Sequence, residues 1–214
     1  MKPYYQKSGI TLYNADCREV AKFVKCDFII TDPPYPDYHK DKWEYFPPMF
    51  LNDFSCRQLV FWSAAQDFPL DHTAVHIWDK KINGMASSEY ERIFERNGQA
   101  ICRVFNHYFI NSTVAANYGS DIFTGHVSQK PIKLMRQLIT KFVPAGAVIF
   151  DPFSGSGSTL AAARDLGYQA IGCETALEWC GVTVERLAQQ SLFTLPNTAS
   201  TRQGQAVAQN ELFG

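Results

Sequence analysis

Two turns in the chain carry residue types suited to chemistry on a nucleoside. The first is Thr31-Asp32-Pro33-Pro34-Tyr35. Two consecutive prolines fix φ and remove two backbone donors, which leaves the local carbonyls free to accept from another partner. A rigid carboxylate, a rigid carbonyl and an aromatic ring then lie together. They suit a planar base with an exocyclic amine. Asp32 and the Pro33 carbonyl each accept one hydrogen of the amine, and Tyr35 stacks on the ring, as in pockets for extruded bases. The plainer alternative is a stiff turn that ends a strand, with Tyr35 capping the core.

The second turn is Asp151-Pro152-Phe153-Ser154-Gly155-Ser156-Gly157, followed by Glu174 at the end of the next apolar run. Glycines let the backbone approach a ligand closely and turn sharply into a helix. In parallel sheets ligands bind beyond the carboxyl ends of strands, where an acid can accept from two ribose hydroxyls. A phosphate-cradling loop would need a lysine where Ser158 stands, and a dinucleotide fingerprint would need glycine at Leu160. The frame of a nucleophile elbow is absent around Ser154 and Ser156. The alternative here is an ordinary strand-to-helix turn of small residues.

The elements around these turns follow from periodicity. Residues 10–13, 26–31, 59–62 and 73–78 read as strands, the second stopped by Asp32-Pro33. Residues 17–25 carry Val20, Phe23 and Val24 at helical spacing. Residues 36–50 read as an ordered loop, 79–100 as polar, mixed and partly loop, 101–109 as one or two short strands, and 110–125 as loop. Leu134, Met135, Leu138, Ile139, Phe142 and Val143 form the apolar stripe of a helix over 131–143, with Pro131 in its first turn. The unit that follows is explicit: strand 147–150, glycine turn, helix 158–166 ended by Gly167, strand 168–173, then helix 176–190. Alternating strands and helices predict an α/β fold with a mostly parallel twisted sheet and helices on both faces.

Composition bounds the rest. The chain has 214 residues, 46% hydrophobic and 19% charged, which is ordinary globular and excludes a largely disordered protein. This length predicts one domain, over residues 1–195, and the polar stretch 196–214 reads as a flexible tail. No apolar run reaches ~18 residues, and the first residues lack the apolar core of a signal peptide, so a cytoplasmic protein without a membrane span is expected. The net charge of −1 gives no global sign of nucleic-acid binding. None of the six cysteines has C-x-x-C or zinc-finger spacing, so buried free thiols and no metal site are expected.

Taken together, the two turns resemble those of the S-adenosylmethionine-dependent amino-methyltransferases of DNA. The catalytic turn precedes the cofactor turn, as in the permuted β class of that family. His126-Val127-Ser128-Gln129-Lys130-Pro131 is similar to the family's H-x-x-Q-K-P segment. Ile77-Trp78-Asp79-Lys80 and Tyr90-Glu91-Arg92-Ile93 look loosely like its middle segments. The resemblance runs over roughly residues 10–190 and implies a Rossmann-like methyltransferase fold with circularly permuted motif order.

The resemblance also implies roles. Asp16, Asp151, Phe153, Gly155, Gly157, Ser158, Thr159 and Glu174 would bind S-adenosylmethionine, with Asp16 near its adenine. Lys130 would approach the cofactor or a DNA phosphate. Asp32, Pro33, Pro34 and Tyr35 would be catalytic: the conjugated amine is a poor nucleophile, so alignment and stabilisation of its developing charge supply the rate. In this family a first residue Asp resembles adenine-N6 enzymes, whereas cytosine-N4 members usually carry Ser. N4-cytosine methylation, N6-adenine methylation of RNA, and an inactive cofactor-binding subunit are the alternatives. A restriction-modification setting is also implied.

DNA contacts would come from local patches. Residues 126–150 hold Lys130, Lys133, Arg136 and Lys141 and no acid, which makes Arg136 a candidate phosphate contact. A solvated helix face accounts for Lys133 and Lys141 equally well. Tyr38, Lys40 and Lys42 lie beside the catalytic turn and could close over the base. Only about residues 105–125 remain for target recognition, less than the family uses. A short recognition sequence, a homodimer or a second subunit is therefore expected.

Overall fold

The computed structural model describes residues 1–36, 47–81, 89–109, 121–126 and 128–189. Among the described residues, nine strands form one sheet in the order β1-β2-β9-β8-β3-β4-β6-β5-β7. They are β1 (Tyr5–Lys7), β2 (Ile10–Asn14), β3 (Phe28–Thr31), β4 (Arg57–Trp62), β5 (Ala74–Asp79), β6 (Tyr90–Arg96), β7 (Val104–Asn106), β8 (Val148–Asp151) and β9 (Gln169–Glu174). Strands β2, β9, β8, β3 and β4 run parallel, while β6 inserts antiparallel between β4 and β5. The described helices are α1 (Cys17–Ala21), α2 (Ile132–Phe142), α3 (Ser158–Asp165) and α4 (Leu177–Ala188), with a 3₁₀ turn at Pro48–Asp53.

The sheet is covered on both faces. Along β3, Phe28 and Ile30 join a core with Leu134, Leu138, Leu160 and Leu187 from α2, α3 and α4. Ile29, between them, faces Cys17 and Val20 of α1 and Leu51 of the 3₁₀ turn. Successive side chains point to opposite faces of a strand, so this alternation places helices on both sides. The expected architecture is therefore observed.

Three differences from the sequence expectation have physical reasons. Residues 90–96, read as partly loop, form a strand inside the sheet. Its charges are buried by pairing rather than exposed: Glu95 with His76 and Arg57, and Glu91 with Lys80. The first helix spans only Cys17–Ala21, and Pro131 is the residue before α2 rather than within it. The thiols are not all buried, since Cys102 is exposed and Cys26 and Cys56 are half-buried; all six cysteines are free. No described helix is long and apolar enough to cross a membrane. The tail, residues 110–120 of the expected recognition segment, and Tyr38, Lys40 and Lys42 lie outside the described residues.

Candidate active site

Parallel strands put their carboxyl ends on one rim, and the chemistry-bearing residues collect there. Asp16 follows β2, Asp32 follows β3, Asp151 ends β8 and Glu174 ends β9. Because β6 runs the other way, its first residues, Tyr90 and Glu91, reach the same rim. A cavity of about 570 Å³ opens between these ends. Asp16, Asp32, Pro33, Tyr35, Lys130, Asp151, Phe153, Gly155 and Glu174 all line it. A volume of this size is ordinary for a pocket that takes a small molecule.

The glycine turn is held from several directions. Gly155 and Gly157 have φ of +49° and +76°, the left-handed region that favours glycine. The Gly155 N–H donates to Glu174 at 3.0 Å, and its carbonyl accepts from Thr183 Oγ1 on α4 at 3.1 Å. A Cβ on Gly157 would lie 2.5 Å from Thr183 Cγ2, so this glycine serves close helix packing and does not line the cavity. A Cβ on Gly155 would lie 3.0 Å from His126 Nε2, which brings the H-x-x-Q-K-P segment against the turn. Ser158 Oγ donates to the Lys130 carbonyl at 2.7 Å and ties the same segment to the start of α3.

The acids around the turn differ in environment. Burial pushes the Glu174 carboxyl up against the pull of the Ala176 and Gly155 N–H groups. Asp16 caps α1 and is held below the usual carboxylate range by Arg18 beside it. Asp151 is 3% exposed, and burial pushes it up to about 6. It accepts from Thr31 Oγ1 at 2.9 Å and from the Phe153 N–H at 3.2 Å, and it also bonds the Thr159 hydroxyl. Asp151 thus joins the two turns.

Asp32 sits in a web of donors. The Tyr35 hydroxyl donates to Oδ1 at 2.6 Å, and Lys130 Nζ donates to Oδ2. Lys130 Nζ also pairs with Glu91 at 3.2 Å, and Glu91 pairs with Lys80 at 2.8 Å. Lys130 lies 5.1 Å over the Phe61 ring. Burial raises Asp32, with Glu91 adding to the rise and Lys130 opposing it. The two lysines outweigh burial at Glu91, which stays low, and the two carboxylates hold Lys130 high despite its burial.

The structure therefore gathers Asp16, Asp32, Pro33, Pro34, Tyr35, Lys130, Asp151, Phe153, Gly155, Ser158, Thr159 and Glu174 around one cavity, with Gly157 behind it. Three placements add partners to the sequence reading. The Tyr35 ring packs on Trp62, centroids 5.3 Å apart, and beside Phe94, and its hydroxyl supports Asp32 while the residue lines the cavity. Lys130 lines the cavity, and its ammonium pairs with Asp32 and Glu91. Arg136 pairs with the buried Asp165 between α2 and α3, which accounts for it without DNA. Three residues of the segments compared above carry no role in the sequence reading: His126 lines the cavity, and Glu91 and Lys80 stand behind Lys130.

A parallel sheet with a nucleoside cradle and a carboxylate–carbonyl pair on one rim is the Rossmann-like methyltransferase arrangement. A DNA methylase family model, that of the N6/N4 methyltransferases, matches residues 38–185, and the chain belongs to this amino-methyltransferase family. The type II methyltransferase M.HindIII of Haemophilus influenzae is 42% identical over 62 residues, which cover 29% of this chain and 20% of that protein. The aligned stretch thus spans about a fifth of that relative. Among solved structures, the M1.HpyAVI–SAM complex aligns with a TM-score of 0.58 and 19% identity, covering 84% of this chain and all of that one. The cytosine-N4-specific PvuII DNA methyltransferase aligns with a TM-score of 0.61 and 14% identity, covering 93% and 91% of the two chains. The structural likenesses bear on the fold.

Proposed function

We propose that the chain transfers a methyl group from S-adenosylmethionine to the exocyclic N6 amine of adenine in DNA. One observation carries this reading: the Asp32-Pro33 turn and the Gly155–Glu174 cradle line the same cavity. The residues present fit the methyl donor. Glu174 offers carboxylate oxygens beside a turn whose backbone has no side chain at Gly155, and Asp16 and Phe153 border the same space.

When bound, S-adenosylmethionine supplies an electrophilic methyl on a sulfonium centre. Glu174 would hold the ribose, Asp16 would face the adenine end, and Phe153 would cover one side. Asp151 fixes the distance between cradle and turn through Thr31 and the Phe153 N–H. The target amine is paired in duplex DNA, so the base must leave the stack to reach Asp32. Asp32 and the Pro33 carbonyl would accept the two amine hydrogens and orient the nitrogen lone pair. The Asp32 charge opposes the positive charge that develops on nitrogen.

The adenine choice rests on Asp as the first residue of the turn, as the family resemblance implies. Cytosine N4 is the second reading, favoured by the fold likeness to a cytosine-N4 enzyme. An inactive cofactor-binding subunit fits poorly with an Asp32 held by Tyr35 and Lys130. A cytoplasmic location, and a second copy or subunit to extend DNA recognition, complete the proposal. Incubation of duplex DNA and of RNA with methyl-deuterated cofactor, followed by nucleoside mass spectrometry, tests it. Labelled N6-methyldeoxyadenosine is expected, absent with Asp32→Ala, which still binds cofactor in a calorimeter. Undiminished transfer by that variant would refute the catalytic role.

A further inference from the structure

We propose that Glu91 is a positioning residue for the amine-methylation step: it shares both donors that grip Asp32 and so keeps that carboxylate oriented and only partly neutralised by Lys130. The inference rests on the reading above. Glu91 itself does not line the cavity.

The geometry is a buried bridge. Asp32 is gripped by two groups, the Tyr35 hydroxyl and Lys130 Nζ. Glu91 Oε2 lies 3.4 Å from that hydroxyl and 3.2 Å from that ammonium. Its other oxygen is anchored by Lys80 at 2.8 Å. Side chains of Glu91, Lys130 and Lys80 are 12%, 7% and 10% exposed, so water screens them little. Two carboxylates and two ammoniums give a neutral set. Deleting one carboxylate from it leaves an ammonium without compensation, which is costly in a buried place.

Without Glu91, Lys130 would pair with Asp32 alone. The carboxylate would then be more fully neutralised and pulled toward the ammonium, away from the amine. A small displacement of an orienting group is enough to slow an in-line transfer. The groups that face Asp32 are Lys130 from the segment before α2, Glu91 from β6, Tyr35 from its own turn and Asp151 from β8. Removing Glu91 takes away one cause that raises Asp32, so Asp32 would lose its proton at lower pH.

The test compares wild type, Glu91→Gln and Glu91→Asp in methylation kinetics across the acid and neutral range. Acetylation of Lys130 by an N-hydroxysuccinimide ester is read in parallel by mass spectrometry. Glu91→Gln is expected to lower kcat by about 10- to 100-fold, with KM for the cofactor little changed and the acid limb displaced to lower pH. Glu91→Asp restores the position of that limb and most of the rate, and Lys130 acetylates faster in Glu91→Gln than in wild type. A Glu91→Gln enzyme with wild-type kcat and acid limb overturns the proposal. So does a loss of rate with an unmoved limb that Glu91→Asp does not rescue. If wild type transfers no methyl, the functional reading fails; unchanged Lys130 acetylation in Glu91→Gln then separately overturns the positioning role.

Discussion

Replacing Gly157 by alanine puts a methyl group where the fold has no room for one. At φ +76° a side chain costs about 1–2 kcal/mol in backbone strain. The new Cβ would lie 2.5 Å from Thr183 Cγ2, 2.8 Å from Oγ1 and 3.0 Å from Cβ. Thr183 is fully buried and β-branched, and its hydroxyl is bonded to the Gly155 carbonyl, so it cannot rotate away at no cost. Such overpacking costs about 1–3 kcal/mol, which brings the sum to about 2–5 kcal/mol. Thr183→Ala removes the two nearest atoms and one hydrogen bond worth about 1 kcal/mol. The double variant should therefore recover the overpacking but keep the backbone strain. Urea unfolding followed by circular dichroism would give a favourable coupling of about 1–3 kcal/mol. Additive effects within about 0.5 kcal/mol, or an undisturbed Gly157→Ala, would refute the packing claim.

Other outcomes follow from the site. Asp151 binds its proton more tightly folded than unfolded, so its contribution favours the fold at low pH and is lost as pH rises from 3.8 to about 6. The gap corresponds to roughly 3 kcal/mol at neutral pH. Asp151→Asn should be more stable than wild type at pH 7 in urea unfolding, with the advantage vanishing near pH 4. Glu174→Ala should weaken cofactor binding at least 10-fold by calorimetry while leaving the fold intact. Arg136→Ala should lower stability by about 1–3 kcal/mol, because Asp165 loses a buried partner, and leave DNA affinity unchanged in a filter-binding assay.

Both turns, the strands that carry them and the βαβ unit were legible because their signals are local. Proline stops β3 after Thr31, glycines mark the turn after β8, and apolar stripes mark α2 and α4. The third region of the site was not legible, because its signal is a pairing. Residues 90–96 alternate poorly: Glu91, Glu95 and Arg96 look exposed in one dimension and are covered only because partners from β4, β5 and the segment before α2 reach them. The same blindness affected Lys130 and Arg136. Lys130 reads as a cation for the cofactor or a phosphate and Arg136 as one for a phosphate, and each pairs with an acid distant in sequence: 98 positions for Lys130 and Asp32, and 29 for Arg136 and Asp165. The packing of Tyr35 on Trp62 and Phe94 is likewise hidden in the sequence, because those neighbours lie on other strands.

A crystal structure of the chain with S-adenosylmethionine would test the central claim most directly. The account predicts the ribose on Glu174 and the sulfonium methyl directed toward Asp32 and the Pro33 carbonyl. A cofactor seated elsewhere, or one whose methyl faces away from Asp32, would contradict it.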